Sequence, residues 1–184
     1  MVTRGTNFFD SVNERYVNRQ PIPVRTKPRV FISHQKKDSD IACVVAEYLL
    51  NAGIDIYFDQ FDKSIDRSDP HSVVRAIRRG IENSSHMLVL FSINTFGSMW
   101  VPWEIGYAYN SAVSLNVLRL KGVPKEKLPE YLKVVKMVMS IYQLNSLIAD
   151  IRKINRDQLL LENGSFSESN VYNPLNNIMD SYTV

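Results

Sequence analysis

The run Met87–Phe91 constrains the fold most strongly, because it is apolar at every position. A strand with one solvent-facing side alternates apolar and polar residues, whereas an uninterrupted apolar run of this length is typical of a strand covered on both faces. Strands of this kind belong to parallel sheets that have helices on each side. The run therefore predicts a layered α/β domain built around it.

Strand-like and helix-like segments alternate along the rest of the chain with short connections. The other predicted strands are Arg29–Ser33, Ile54–Phe58, Leu115–Leu120 and Val134–Val138. The predicted helices run from Ser39 to about Asn51, from Pro70 to about Ile81, from about Ser98 to Ala112, from Leu128 to Leu132 and from Leu144 to Ile151. The alternation predicts one five-stranded parallel sheet with helices on both faces, whose ligands bind at the C-terminal ends of the strands.

The segments on either side of this domain have a different composition. Residues 1–27 are predicted to form an extension, with a short amphipathic helix over Phe8–Tyr16 and an extended linker at Gln20–Pro23. The helix could pack on the domain's own surface or act as an interaction arm. Residues 28–155 are assigned to the domain itself. Residues 156–184 are polar and rich in Ser and Asn without a clear period, so we expect a loop or a partly ordered tail.

The composition of the chain indicates which cellular environment and which classes of partner to expect. The net charge of +3 over 184 residues is too small to indicate nucleic-acid binding. The single cysteine, Cys43, cannot form an intramolecular disulfide, which is typical of a reducing compartment. The chain lacks an apolar run long enough to span a membrane and lacks the apolar block of a signal peptide. We therefore expect a cytoplasmic protein without nucleic-acid or membrane partners.

Metal and phosphate chemistry find little support in the sequence. The three histidines, His34, His71 and His86, are far apart and do not have the spacing of metal ligands. There is also no glycine-rich loop of the kind that cradles phosphates, so neither kinase nor dehydrogenase chemistry is indicated. We expect neither a metal nor a bound cofactor.

The segment Ser98–Tyr109 is the main candidate for a functional site. Ser98 can cap the helix, and Pro102 is tolerated because it falls in the first turn. Trp100 and Glu104 are four residues apart and so share one face, where an indole beside a carboxylate could hold a planar ring attached to a sugar. The positive end of the helix dipole favours a negative charge on Glu104.

The alternative is structural: Trp100 and Trp103 would be core anchors and Glu104 a solvated carboxylate. The predicted topology favours the functional interpretation, because it brings the ends of other strands to the same crevice. Ser33 and His34 follow the first strand, and Asp59 follows the second. If only one tryptophan faces the crevice, the spacing favours Trp100, with Trp103 as a buried anchor.

Four segments, in this order and at these spacings, resemble a Toll/interleukin-1 receptor (TIR) domain. They are Arg29–His34, Gly53–Asp59, Ile81–Ser85 before a hydrophobic strand, and Ser98–Ile105. The resemblance covers about Arg29 to Arg152 and is greatest to bacterial TIR proteins of antiphage systems such as Thoeris. It implies a flavodoxin-like five-stranded sheet. In the catalytic branch of the family it also implies cleavage of the nicotinamide–ribose bond of NAD+.

The resemblance also implies roles for individual residues. The Trp-x-x-x-Glu motif of the catalytic branch makes Glu104 the catalytic residue and places Trp100 at the nicotinamide end. The implied substrate-binding residues are Phe31, Ser33, Gln35, Lys36, Asp59 and Trp100. The chain departs from relatives in two places. Ser68–His71 stands where a Gly-Asp or Gly-Glu step is common, and some catalytic relatives have arginines at the positions of Gln35 and Lys36.

The implied function is that of an NAD+ glycohydrolase or cyclase, with NAD+ as substrate and a linear or cyclic ADP-ribose product. In this interpretation the product is a nucleotide signal for a downstream effector in antiphage immunity. Self-association is expected through the loop of residues 60–69, which carries the apolar residues Phe61 and Ile65 among charged neighbours. Two alternatives remain open at this point: a non-catalytic TIR adaptor that acts by self-association, and a nucleoside-processing transferase.

Overall fold

A five-stranded sheet forms the centre of the domain. The structure is a computed structural model, and it describes residues 3–5, 28–58 and 68–182. All neighbouring strands are parallel. The strands are β1 (Arg29–Ser33), β2 (Asp55–Tyr57), β3 (His86–Phe91), β4 (Ser114–Arg119) and β5 (Lys136–Val138). The predicted fold class, a five-stranded parallel sheet flanked by helices, is confirmed.

Helices connect the strands, as the alternating pattern predicted. The α-helices are α1 (Ser39–Asn51), α2 (Pro70–Glu82), α3 (Trp100–Tyr109), α4 (Ile141–Arg152) and α5 (Arg156–Glu162). Short 3-10 helices lie at Lys36–Asp38, Ile93–Gly97, Lys125–Lys127, Glu130–Val134 and Gly164–Phe166. Within the described residues, no helix combines the length and the apolar character needed to cross a bilayer.

The strand order is β2-β1-β3-β4-β5, so the chain changes direction across the sheet between β1 and β3. After β1 it moves outward to β2, and it then returns past β1 to start β3 on the other side. The connections that leave β1 and β3 therefore lead to opposite faces of the sheet, the first to α1 and the second to α3. In open parallel sheets this switch point is where ligands bind. The topology thus directs attention to the residues that follow Ser33 and Phe91.

The sheet separates two apolar cores. Val30 and Ile32 of β1 pack into a core with α1, α4 and α5, whereas Phe31 packs into a second core with α2 and α3. This division follows from strand geometry, because successive side chains point to opposite faces. Ser33 lies two residues after Phe31, and its side chain accordingly belongs to the face covered by α2 and α3.

The C-terminal segment is more ordered than its composition predicted. Residues 156–184 were expected to form a loop or a partly ordered tail, yet they contain α5 and the 3-10 helix at Gly164–Phe166. Phe166, Leu175 and Met179 are buried in the core beside α1 and α4. These apolar residues are irregularly spaced because turns, rather than a regular element, bring them inward. The periodicity argument could not detect them for this reason.

A buried polar network fastens this segment to the domain. Asn145 of α4 donates to Glu168 Oε1 at 2.9 Å and accepts a hydrogen bond from the Tyr48 hydroxyl of α1 at 2.7 Å. Arg156 Nη1 lies 3.0 Å from the same Glu168 oxygen. Burial raises the pKa of the Tyr48 hydroxyl above its ordinary value, so this group remains a neutral donor.

Several of the predicted features lie outside the described residues. They are the N-terminal helix and linker, Asp59, and the apolar residues Phe61 and Ile65 of the 60–69 loop. The predictions made for them stay predictions.

Candidate active site

Ser33 and Glu104 meet at the C-terminal end of β1. Both residues are buried, with Glu104 only 7 % exposed, and the Ser33 hydroxyl donates a hydrogen bond to Glu104 Oε2. Burying a carboxylate is unfavourable unless hydrogen bonds replace those it made to water. The contact therefore fixes the position of the Glu104 side chain at the switch point of the sheet.

The start of α3 brings Glu104 to this position. The helix begins at Trp100, with Met99 in the N-cap position and Pro102 in the first turn. The predicted capping contact of Ser98 is present: its hydroxyl accepts a hydrogen bond from the Val101 N–H at 3.1 Å. Because the first turn is anchored in this way, Glu104 follows just over one turn after the helix start, where its side chain reaches Ser33 of β1.

The two tryptophans of α3 lie on the outside. Trp100 is 42 % exposed and Trp103 is 38 % exposed. Val101, Ile105 and Ala108 form the buried face. With about 100° per residue, Trp100 is displaced about 40° from Glu104 around the helix, and Trp103 a further 60° in the same direction. The prediction that Trp103 is a buried anchor is wrong, because the branched and small residues of α3 fill the core instead.

The exposed aromatic rings of α3 contact one another. The indoles of Trp100 and Trp103 pack edge to face with their ring centres 6.1 Å apart. Trp103 also stacks on Tyr107 at 5.6 Å, with an interplanar angle of 18°. The Trp100 ring remains reachable from solvent, four residues before the buried Glu104 on the same helix. The expected pairing of this indole with the carboxylate around a substrate stays a prediction.

The remaining predicted substrate contacts fall into three groups. Gln35 and Lys36 lie in the connection after β1, where the Gln35 side chain accepts a hydrogen bond from the Lys36 N–H and the Lys36 side chain is exposed. Phe31 is 1 % exposed and stacks on Tyr57, so the structure places its ring in the core below Ser33. Asp59 lies outside the described residues. The roles of these residues in binding substrate stay predictions.

Sequence reasoning missed one pair of contacts beside the site. The buried Asp38 carboxylate accepts hydrogen bonds from Ser92 and Asn94, in the connection that follows β3. A signal was available in principle, because polar residues follow both strands that border the switch point. Spacing along the chain could not show that these particular side chains meet.

Comparison with known proteins agrees with this geometry. The sequence profile of the TIR domain matches residues 30–146. The chain belongs to the TIR domain family. The matched region contains both Ser33 and Glu104, the whole of α1, α2 and α3, and the first half of α4.

Two curated bacterial relatives carry names of enzymes. The chain is 29 % identical over 99 residues to the 2′ cyclic ADP-D-ribose synthase BtTIR of Bacteroides thetaiotaomicron, a match that covers 53 % of this chain. It is 30 % identical over 80 residues to the probable 3′ cyclic ADP-D-ribose synthase ThsB′ of Bacillus cereus, which covers 42 % of this chain. The matches span only 33 % and 42 % of the relatives' own lengths. Both relatives support the predicted similarity to bacterial TIR proteins.

A solved TIR structure supports the fold. The TIR domain of the Toll-related receptor TRR-2 from Hydra magnipapillata superposes with a TM-score of 0.54. The superposition covers 67 % of this chain and 97 % of the Hydra domain, at 18 % sequence identity. At this identity the similarity concerns the fold and carries no information about activity.

Proposed function

We propose that this TIR domain cleaves the nicotinamide–ribose bond of NAD+ and releases an ADP-ribose-type product. One observation carries the proposal: a buried carboxylate, Glu104, is held by Ser33 at the switch point of the sheet, one helical turn after the exposed indole of Trp100. The names of the two bacterial relatives, both cyclic ADP-ribose synthases, support the same reaction class. NAD+ is the substrate in this proposal, and the reaction as written requires no cofactor.

The chemistry suits a fixed carboxylate. When the bond between the ribose C1′ and the nicotinamide nitrogen breaks, both electrons go to nicotinamide, which leaves as a neutral ring and needs no proton. The positive charge develops on the ribose as an oxocarbenium-like species. The Glu104 carboxylate can stabilise that charge directly and can accept hydrogen bonds from the ribose hydroxyls. Ser33 holds the carboxylate in place so that it need not reorganise during the reaction.

The neighbouring side chains have roles that match their positions. The Trp100 ring provides a flat apolar surface for the nicotinamide, and the exposed ammonium of Lys36 can attract the diphosphate. Capture of the ribosyl cation by water gives linear ADP-ribose and a proton. Capture by a nucleophile within the same molecule gives a cyclic product, as the names of the relatives suggest.

The decisive experiment compares two buried glutamates. Purified protein is incubated with NAD+, and the products are identified by mass spectrometry. Glu104→Gln removes the charge at the proposed site, whereas Glu168→Gln removes a buried, hydrogen-bonded carboxylate from the network beside α4. We expect Glu104→Gln to lower the rate about 10²–10³-fold or more. We expect the folded Glu168→Gln protein to remain active; near-normal turnover by Glu104→Gln would refute the assignment.

Self-association belongs to this proposal as a condition for activity. The loop of residues 60–69 could complete the crevice from a neighbouring subunit, as the family resemblance implies. Turnover per mole of enzyme should then rise with protein concentration, and substitution of Phe61 or Ile65 should reduce both assembly and turnover. A dilution series with light scattering tests this, and a strictly monomeric enzyme with constant specific activity would exclude it.

A second candidate function is a signalling adaptor that acts by self-association without catalysis. One observation favours it: Ile93, Phe96 and Met99, in the segment that leads into α3, are exposed although they are large and apolar. An adaptor would assemble in the light-scattering experiment and would leave NAD+ intact at every concentration. The proposed place in cytoplasmic antiphage immunity follows from the bacterial resemblance, and a phage challenge of cells that carry the wild type or Glu104→Gln tests it.

A further inference from the structure

The two connections that border the switch point diverge beyond the last paired residues of the sheet. The register between β1 and β3 ends at the pair Ser33–Val89, and β3 continues to Phe91. Beyond this pair, the connection after β1 runs through the 3-10 helix at Lys36–Asp38. The connection after β3 runs through the 3-10 helix at Ile93–Gly97 to the start of α3. The Ser33–Glu104 contact requires these two connections to keep a fixed spacing.

Asp38 joins the two connections through both of its carboxylate oxygens. Ser92 Oγ donates to Asp38 Oδ2 at 2.6 Å, and Asn94 Nδ2 donates to Asp38 Oδ1 at 2.6 Å. The residue is only 3 % exposed. Hydrogen bonds to an ionised acceptor are the stronger class of such contacts, and burial keeps water from competing for them. The carboxylate is therefore committed to the neighbouring connection.

Asp38 does not cap the helix that follows it. Asp38 occupies the N-cap position of α1, where an aspartate commonly accepts hydrogen bonds from the first helical N–H groups. Its side chain makes no such bond. Asp69 provides the contrast within this chain, because at the N-cap of α2 it accepts hydrogen bonds from the N–H groups of His71 and Ser72. Stabilising α1 does not explain the orientation of the Asp38 side chain.

The contacts continue from Asp38 toward Glu104. Ser92 accepts a hydrogen bond from the Asn94 N–H at 2.9 Å, and its own N–H donates to Thr95 Oγ1 at 3.0 Å, which together start the 3-10 helix. That helix ends at Gly97, and the next residue, Ser98, caps the first turn of α3. Glu104 lies within this short, continuously hydrogen-bonded stretch, whose far end is fixed by Asp38.

We propose that Asp38 is a positioning residue for Glu104: it clamps the connection after β1 to the connection after β3, so that the Glu104 carboxylate meets Ser33. The kinetic part of this inference rests on the proposed function. The clamp itself does not, because it can be observed through the protection of backbone amides. A displaced carboxylate still permits substrate to bind but stabilises the transition state poorly, since catalysis depends steeply on geometry.

The test is an exchange of the two groups of the clamp. Asp38→Asn and Asn94→Asp each disrupt the contact, the second by placing two carboxylates against each other. In the double variant D38N/N94D, the amide at position 38 donates to the carboxylate at position 94, and Ser92 donates to the amide oxygen. Asn94→Ala, which removes only the half-buried partner, keeps the test valid if the Asp38→Asn protein does not fold. Glu168→Gln serves as the matched control for loss of a buried carboxylate.

We expect Asp38→Asn to lower kcat about tenfold or more with KM changed by less than about twofold. It should also speed hydrogen exchange in residues 93–104. Glu168→Gln should change neither kcat nor hydrogen exchange in residues 93–104. The double variant should recover the wild-type kcat and the wild-type exchange rates. Unchanged exchange in Asp38→Asn and Asn94→Ala would overturn the clamp, and faster exchange with unchanged kcat would overturn the positioning role. If the wild type does not cleave NAD+, the proposed function fails, and the exchange measurements still decide on the clamp.

Discussion

Two glycines in helix interiors should respond to alanine substitution with opposite changes in the free energy of unfolding. Gly80 lies in α2 and Gly106 lies in α3. A Cβ atom added at Gly80 would lie 2.6 Å from Phe31 Cε2 and 2.7 Å from Tyr57 Cε1, whereas at Gly106 it would meet no atom within 4 Å. The same substitution, glycine to alanine, therefore enters a packed contact in one helix and open space in the other.

The magnitudes decide between two opposing effects. Alanine in a helix interior is favoured over glycine by about 0.5–1 kcal/mol. At Gly106 this is the only effect expected, so Gly106→Ala should stabilise the protein by about that amount. At Gly80 the new methyl group would have to move two ring edges by about 1 Å, and overpacking of this kind destabilises by about 1–3 kcal/mol. Gly80→Ala should therefore destabilise the protein, by up to about 2 kcal/mol.

The assay is urea unfolding of the wild type and the two variants, with thermal unfolding as a second measure. For a chain of this size, 1 kcal/mol corresponds to a shift of about 2–4 °C in Tm. Gly80→Ala should also impair NAD+ cleavage at temperatures where it is folded, because Phe31 lies two residues before Ser33. If both variants were stabilised equally, the close approach of α2 to β1 and β2 would be refuted.

Three further predictions concern single hydrogen bonds and one exposed ring. Ser33→Ala removes the hydroxyl that donates to the buried Glu104 and should lower the free energy of unfolding by about 1–3 kcal/mol in urea titrations, with a parallel loss of turnover. Trp103→Ala should destabilise by no more than about 1.5 kcal/mol, because the ring is partly exposed and its main contacts are aromatic; a loss above 3 kcal/mol would show that it is an anchor after all. Tyr48→Phe should destabilise by about 1–2 kcal/mol at neutral pH. Burial raises the pKa of Tyr48 in the folded protein, so the folded state keeps the hydroxyl proton that the unfolded state loses above about pH 10. The stability difference between wild type and Tyr48→Phe should therefore shrink above that pH. A difference that grew with pH would contradict the assignment of Tyr48 as the donor.

The sheet was predictable because each strand carries its own local signal. Met87–Phe91 is apolar throughout, and Arg29–Ser33 is a short run bounded by polar residues. Each is followed by a predicted helix, which implies a parallel crossover. The strand order could be inferred only through the family resemblance, because periodicity does not show which strands pair.

Glu104 was predictable for a different reason. A carboxylate near the start of a predicted helix, four residues after a tryptophan, is visible in the sequence without knowledge of the structure. The burial of Glu104 and its contact with Ser33 cannot be read from the sequence, since they depend on how closely α3 approaches β1. Trp103 was misplaced because a large aromatic ring was expected to fill the core, whereas Val101, Ile105 and Ala108 already occupy the inner face of α3.

The order of the C-terminal segment was not predicted. This segment explains why the candidate site lies at the C-terminal ends of β1 and β3 and not at those of β4 and β5. The Lys121 N–H donates to Ile178 O, and the Ile141 N–H donates to Asp180 O, each at 2.8 Å. Asp180 also pairs with Arg119 at the end of β4. The C-terminal ends of β4 and β5 are therefore occupied by the chain itself. The ends of β1 and β3 carry Ser33 and the connection that leads to Glu104, so the polar side chains suited to chemistry coincide with the switch point of the fold.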